Sequence, residues 1–449
     1  MWRLNNKVIE RGEKMEAQTF QQGIHPSYNK ELTNQKSLQR AEEPSAVMIP
    51  IQQHIGAPAQ LIVEVGDEVA VGEKIAEAGG FVSANIHASI AGEVTAIEEK
   101  NEQVVVKIEN DGSNQQKSDL ESHDDLAEVT PAEVRNIIQE AGIVGLGGAT
   151  FPSHVKVSIP DDKNVDTVML NGAECEPYLT VDHRMMLEMG EQVLFGLKAL
   201  MKAADAEQGY IGIEMNKLDA IENMKEITSD DPNIEVVPLE VKYPQGGEKQ
   251  LIEAILDKEV PSGGLPLDIG IVVNNIGTAV AITEAIKDGK SLFERAVTVT
   301  GAVNNPQNLI VKVGTPIKEL IEQCDGFKGQ PGKVIMGGPM TGQAQNRLDN
   351  PVTKGTSGVL VLNEEEAKDY SEAGPCIRCA SCVDVCPMNL VPTRLVNLVK
   401  EDMIEEAEED NLMDCIECGS CSYVCPSNIE LVQRIKLGKE KVRAKKREQ

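Results

Sequence analysis

No run of apolar side chains in this 449-residue sequence is long enough to cross a bilayer, which takes about eighteen to twenty residues. The beginning of the chain lacks the apolar stretch of a secretory signal, so a soluble, cytosolic protein is expected. Positive charge is also scarce: 43 Lys and Arg stand against 72 Asp and Glu, a formal net charge of −29. A phosphate backbone would be repelled by that balance, which excludes general nucleic-acid binding. The exception is residues 434–449, where eight Lys and Arg, among them Lys445, Lys446 and Arg447, outnumber two Glu. Such a tail either docks on an anionic surface or is a solubilising helix end. The first fourteen residues carry no hydrophobic period, and no structure is expected of them.

Ten cysteines are present, and eight fall into two copies of one spacing. The runs are Cys376-x2-Cys379-x2-Cys382-x3-Cys386-Pro387 and Cys415-x2-Cys418-x2-Cys421-x3-Cys425-Pro426. Three thiolates on so short a loop wrap three corners of an iron–sulfur cube, and the cysteine before the proline reaches across to the other cube. Cys376, Cys379, Cys382 and Cys425 are therefore assigned to one [4Fe–4S] cluster, and Cys415, Cys418, Cys421 and Cys386 to its neighbour. Paired zinc knuckles also use Cys-x2-Cys, but they do not ask for a third cysteine, a fourth and then proline, all repeated. The other two cysteines lie far off in sequence. Cys324 is expected in a core; Cys175, inside a candidate binding motif, reads either as a small buried residue or as a redox group.

A chain of this length accommodates about three domains. The reading is multidomain, α/β and α+β. Residues 1–45 form an N-terminal segment. Residues 46–110 read as short strands at 61–65, 70–72 and 91–94, separated by turns. Val65-Gly-Asp-x-Val69-x-x-Gly72 followed by Ala88-x-x-Ala91-Gly92-Glu93-Val94 resembles the barrel-sandwich fold of biotinyl and lipoyl carriers. Carriers need a lysine on the hairpin tip, and none lies between Lys74 and Lys100. A structural or docking module is expected, not a swinging arm. A polar linker spans 111–127. Residues 128–290 alternate apolar strands, such as 165–170 and 269–273, with amphipathic helices, which predicts an α/β domain with a parallel sheet. Residues 291–362 resemble a small β-grasp module of the soluble-ligand-binding (SLBB) type, with a helix after Pro316 running to about Glu322. Residues 363–449 form the helical two-cluster domain, with one helix expected over 393–410 between the cysteine runs.

The richest loop is Gly142-Ile-Val-Gly145-Leu-Gly147-Gly148-Ala149-Thr150-Phe151-Pro152, leading to Lys156. Its glycines let backbone N–H groups approach a phosphate, and it leads into a helix start. The spacing is not Gly-x-Gly-x-x-Gly, so an ordinary Rossmann site is not expected. Asn171-Gly-Ala-Glu174-Cys175-Glu176-Pro177-Tyr178 and Asn274-Asn275-Ile276-Gly277-Thr278 each follow a predicted strand, where α/β sheets bind ligands. Tyr243-Pro244-Gln-Gly246-Gly247-Glu248-Lys249 supplies another glycine-rich turn.

This succession, together with Gly23-Ile24-His25-Pro26 near the start, resembles the RnfC family of the Rnf electron-transport complex over nearly all of the chain after Met15. It is more distantly similar to the NADH- and FMN-binding flavoprotein of respiratory complex I. The resemblance implies FMN, NAD(H) and two [4Fe–4S] clusters as cofactors. It places Gly145, Gly147, Gly148 and Lys156 at the FMN phosphate and ring, and Phe151 stacked near the nicotinamide dinucleotide. Asn171, Glu174 and Glu176 would contact flavin or nicotinamide; Asn274, Asn275 and Thr278 the FMN phosphate; Glu248 and Lys249 the NAD(H) ribose or phosphates. Glu176 and Lys156 are the candidates for a catalytic role. Ala173 and Thr150 depart from the pattern, standing where an acidic residue and a glycine are usual.

The implied activity is that of one component of a ferredoxin:NAD⁺ oxidoreductase. Hydride would pass between NAD(H) and FMN, and single electrons through the clusters. Its partners would be a ferredoxin-like iron–sulfur subunit and integral membrane subunits, with ferredoxin served indirectly. A peripheral place on the cytoplasmic face of the cell membrane follows. The competing readings are a related soluble reductase, of the cobalamin-reductase or proline-reductase-associated kind, and a non-catalytic iron–sulfur scaffold.

Overall fold

The computed structural model describes residues 7–10, 13–100, 103–367 and 373–448. A four-stranded parallel sheet runs in the order Ile234–Leu239, Gln208–Glu214, Thr167–Gly172, Ile271–Asn275. It is covered on both faces, so its strands read as near-continuous apolar runs; Val168, Met169 and Leu170 are wholly inaccessible. The strands expected over 165–170 and 269–273 both lie two residues later. Asn171 and Asn275 continue the ladder past the apolar run, because backbone pairing rather than side-chain polarity decides where a strand ends. The connection from Ile234–Leu239 returns to the far side of Thr167–Gly172. The strand order therefore reverses between Thr167–Gly172 and Ile271–Asn275, and a ligand crevice belongs at their carboxyl ends.

The barrel sandwich consists of a four-stranded sheet (Ala46–Pro50, Gln103–Asn110, Gly92–Lys100, Glu68–Val69) and a three-stranded one (Gln60–Leu61, Lys74–Glu77, Ile86–His87). Val47, Ile49, Ile75, Ile86, Val106 and Ile108 fill its core. The strand expected over 61–65 shrinks to Gln60–Leu61, since Ile62 and Val65 are exposed and their apolar character marks no buried face. The segment 70–72 gives way to Glu68–Val69, and 91–94 begins the longer Gly92–Lys100. The hairpin tip that carries the lysine in carriers is docked here. His154 Nε2 donates to the Phe81 carbonyl at 3.0 Å, and the two rings meet edge to face at 6.0 Å.

The β-grasp module is a six-stranded sheet in the order Gln343–Gln345, Pro331–Met336, Gly358–Asn363, Glu294–Gly301, Gln307–Lys312, Leu38–Arg40, with the helix Ile317–Gln323. Its last strand comes from the N-terminal segment, which is thus part of the fold rather than an extension. Further upstream, Lys7–Glu10 and Glu13–Glu16 pair as an antiparallel ribbon where no structure was expected, a pairing that backbone hydrogen bonds make without a hydrophobic period.

Where the N-terminal strand joins, buried Glu294 meets Lys290 Nζ at 2.9 Å, Lys312 Nζ at 3.1 Å and Arg40 at 3.1 Å. Burial alone would raise the Glu294 carboxyl, but these cations outweigh it and hold it down at about 2. Because the folded value is depressed, the stabilisation is complete above the unfolded value near 4.5 and is lost as pH falls towards 2. At 1.36 kcal/mol per pKa unit it amounts to about 3 kcal/mol. Glu294→Gln should lower the thermal midpoint at neutral pH and flatten its dependence between pH 4.5 and 2; parallel pH profiles for variant and parent would refute this.

In the cysteine-rich domain the helix expected over 393–410 is two, Pro392–Lys400 and Ile404–Glu409. The break falls at Asp402, whose φ is 58°. It lets Leu395, Val399 and Ala407 all face Ile435 and Val442 of the last helix, Leu431–Glu448. Three lysines of the basic tail are paired: Lys441, Lys445 and Lys446 meet Asp402, Glu405 and Glu408.

Candidate functional site

A cavity of about 960 Å³ opens at the reversal point of the parallel sheet. One wall is the glycine-rich loop. Gly145 N–H donates to the Phe151 carbonyl at 2.9 Å, Thr150 N–H returns to the Gly145 carbonyl at 3.2 Å, and Leu146 N–H donates to Thr278 Oγ1 at 3.0 Å. The folded loop presents Gly147 and Gly148 to the cavity, while Gly145, Phe151 and Thr278 are the struts behind it. Gly148 has φ 104° with nothing within 4 Å of where a Cβ would stand. Among the described residues the N–H groups of Gly147, Gly148 and Ala149 donate to no other group, the arrangement of an anion-binding nest.

The second wall is the loop after Thr167–Gly172. Its carbonyls are gripped from behind by two buried ammonium groups. Lys30 Nζ donates to Glu174 O at 2.8 Å, Glu176 O at 2.9 Å and Leu179 O at 2.5 Å, and Lys217 Nζ donates to Ala173 O at 2.6 Å. Glu174, with φ 46°, accepts from Asp182 N–H at 2.8 Å and caps the helix Val181–Glu188, whose own N-cap side chain makes no such bond. Glu176 accepts from Met340 N–H at 3.0 Å and Thr341 N–H at 2.9 Å, clasping the β-grasp module; burial raises its carboxyl. Asn171 Nδ2 donates to Gly246 O at 2.7 Å and ties this wall to the third glycine-rich turn.

Glu248 and Lys249 line the cavity from that turn. Lys156 lies behind it, donating to Glu248 Oε1 at 3.0 Å and to Val273 O at 2.8 Å. Asn275 Nδ2 donates to Asp182 Oδ2 at 2.7 Å on the cavity wall, and burial followed by the neighbouring Glu174 pushes the Asp182 carboxyl up to about 7. Asn274 is not on the wall; it is buried with both amide atoms unpartnered. The structure thus brings Gly147, Gly148, Asn171, Glu174, Glu176, Glu248, Lys249 and Asn275 to one cavity, and sets Gly145, Phe151, Lys156, Asn274 and Thr278 behind it.

Sequence reasoning missed Lys30, Lys217 and Asp182. It also missed Gln53, His54 and Ile55 of the barrel sandwich, which supply a further part of the cavity wall. A lone lysine in a polar segment carries no local signal. Cys175 lines the cavity; burial pushes its thiol up, and Gly246 N–H donates to its Sγ at 3.2 Å. Cys324 is wholly buried in the β-grasp core.

The two cysteine runs repeat each other in backbone as well as spacing. Arg378 and Glu417 have φ 58° and 59°, Ala380 and Gly419 65° and 80°, Asn389 and Asn428 53° and 49°. Arg378 N–H donates to Cys376 Sγ and Glu417 N–H to Cys415 Sγ, both at 3.4 Å. Each run contains one short helix that carries its third cysteine, Ser381–Asp384 and Ser420–Tyr423. One hollow is ringed by Cys376, Cys379, Cys382 and Cys425, the other by Cys415, Cys418, Cys421 and Cys386. Among the described residues no three His, Cys, Asp or Glu side chains are grouped so as to hold a single metal ion. Ile416 and Cys418 of the second run also line the large cavity, where Tyr243 Oη donates to Cys418 O at 2.8 Å.

Residues 18–113 match the RnfC barrel sandwich hybrid domain, and 138–284 the Nuo51 FMN-binding domain. Over 402 residues the chain is 47% identical to the C component of the Na(+)-translocating ferredoxin:NAD(+) oxidoreductase complex of Acetobacterium woodii, covering 88% of this chain and 90% of that one. The chain belongs to the RnfC family. This RnfC chain is also 46% identical, over 88% of each chain, to the corresponding component of the proton-translocating ferredoxin:NAD(+) oxidoreductase complex of Clostridium ljungdahlii. With that of the ion-translocating oxidoreductase complex of Rhodobacter capsulatus it shares 39% identity, over 87% of this chain and 77% of the other. Its residues 296–344 match the SLBB domain and 368–426 the 4Fe-4S dicluster domain. The barrel sandwich, FMN-binding, SLBB and dicluster domains stand in the expected order. FMN fits the cavity of this RnfC chain: the free N–H groups of the glycine-rich loop suit a phosphate, and the volume is at the upper end of ligand pockets, about 300–1,000 Å³.

Proposed function

We propose that the protein is the peripheral nucleotide-binding component of an Rnf-type complex, linking NAD(H) to single-electron carriers. The observation that carries the reading is the shared wall at Cys418, which belongs at once to the nucleotide cavity and to one ring of four cysteines. FMN bound in the cavity would exchange hydride with NAD(H) and electrons singly with an iron–sulfur cluster. Gly147, Gly148 and Asn275 would hold the flavin, and Glu248 and Lys249 the dinucleotide. Lys30, Lys217 and Lys156 fix the walls from behind.

The Cys415 set then faces the flavin. The Cys376 set, with Cys376 and Cys379 exposed beside exposed Ile377, faces the electron partner, for which a ferredoxin-like protein is the fitting chemistry. No helix among the described residues is long and apolar enough to cross a membrane. Attachment at the cytoplasmic face would therefore come through membrane-embedded partners.

The test is anaerobic purification with cluster reconstitution, followed by flavin extraction and an NADH–ferricyanide assay. Full iron without FMN or NADH oxidation would overturn the proposal. Gly147→Val fills the cavity beside Asn275 and should weaken FMN about tenfold or more, ~1.4 kcal/mol, at unchanged iron content. Undiminished flavin binding would remove this loop from the site.

A further inference from the structure

The two cysteine loops match in backbone but differ in the charge placed beside them. At the position two residues after the first cysteine, the outer loop carries Arg378 and the inner loop Glu417. Glu417 is met by Lys439 from the last helix, Nζ to Oε1 at 2.7 Å, and the Lys439 side chain is only 8% exposed. The same ammonium donates to the Cys415 carbonyl at 2.7 Å, while Glu417 N–H donates to the Cys415 sulfur at 3.4 Å. Lys436 stands farther off, 3.8 Å from the other Glu417 oxygen. A buried cation and its counter-ion are thus both fastened to one cluster ligand.

We propose that the Lys439–Glu417 pair sets the reduction potential of the cluster held by Cys415, Cys418, Cys421 and Cys386. This rests on the iron–sulfur reading of that ring. Reduction adds one negative charge to a cluster, so a nearby cation favours the reduced form and a nearby anion the oxidised form. In a partly buried site such charges are weakly screened, and at an effective dielectric near 20 a charge about 10 Å away shifts a one-electron equilibrium by roughly tenfold. Lys439 also holds the Cys415 carbonyl in place. It is a positioning and tuning residue that touches no substrate.

The experiment is an EPR-monitored redox titration of the full chain, with iron and sulfide counted on each sample. Lys439→Met leaves Glu417 with only the more distant Lys436 and should lower one potential. Glu417→Gln exposes it to an uncompensated Lys439 and should raise the same one. Each shift should be about tenfold in the ratio of reduced to oxidised cluster at fixed potential, about 59 mV for a one-electron couple. Lys439→Arg, which keeps the charge, should leave the potential near that of the parent. Unmoved potentials, or shifts of the same sign in both variants, overturn the proposal. If Lys439→Met loses iron, Glu417→Gln decides alone. A parent chain showing two clusters and full iron keeps the ligand reading standing whatever the potentials do.

Discussion

A Cys425→Ser protein should lose the cluster of the other run, the one bounded by Cys376, Cys379 and Cys382. Iron should fall from about eight to about four per chain, and one of two EPR signals should vanish. Cys425 ends the second run, yet it closes the hollow of the first, and Cys386 closes the hollow of the second. Cys386 lies among the cysteines that influence Cys415 and Cys421, both raised by burial, to about 11 and about 12. Iron–sulfur ligation takes a thiolate, and a serine hydroxyl at the half-buried position 425 stays protonated, so it cannot replace the missing ligand without loss of affinity. Ligation confined to each run would instead cost the Cys425→Ser protein the cluster of Cys415, Cys418 and Cys421, and that result would refute the crossed arrangement. The complementary Cys386→Ser should remove the inner cluster. It should therefore disconnect the cavity from the exposed cluster and abolish electron flow to a one-electron acceptor, while leaving flavin in place.

Lys30→Met should be among the most damaging single substitutions outside the cysteines. The side chain is buried, and its ammonium satisfies three carbonyls of the loop that carries Glu174 and Glu176. Methionine fills the volume but leaves those carbonyls without a donor, at roughly 1–3 kcal/mol each, so a total loss of about 3–9 kcal/mol is expected. The burial that lowers the lysine's own pKa is opposed first by Glu174, so removing the cation also leaves the helix-capping carboxylate less compensated. Thermal unfolding should begin at a lower temperature, and FMN content should drop because one cavity wall is released. An unchanged midpoint with full flavin would show that the three carbonyls find water instead.

The order of the four modules, and the grouping of eight cysteines around two hollows, were legible because their signals are local. Cysteine spacing, glycine-rich turns and apolar strand runs each fit within a few residues. Strand ends were less legible: Asn171 and Asn275 look like loop residues but stay in the ladder, held by the backbone of neighbours far away in sequence. The helix break at Asp402 was invisible, since nothing in 393–410 but the demand of the final helix requires it. Least legible were the buried cations. Lys30, Lys217 and Lys354 look like surface lysines until the carbonyls they serve are brought to them; Lys354 Nζ reaches Asn85 O and Gly142 O, both at 2.7 Å, from the β-grasp module. Burial lowers the Lys354 ammonium to about 7, a state with no trace in local sequence.

The N-terminal segment reaches across the molecule. It lends a strand to Gln307–Lys312, pairs with Leu239 and Tyr243 near the cavity, and touches the cysteine domain where Gln22 Nε2 meets Asn389 Oδ1 and Gly23 N–H meets Val385 O. These partners are hundreds of residues downstream, and contacts of such separation slow folding because loop closure must be achieved before they can form. During synthesis the first part of the chain therefore waits for partners made later, the last of them in the cysteine domain. Final closure of the nucleotide cavity and insertion of the clusters become late and coupled events in the maturation of the chain.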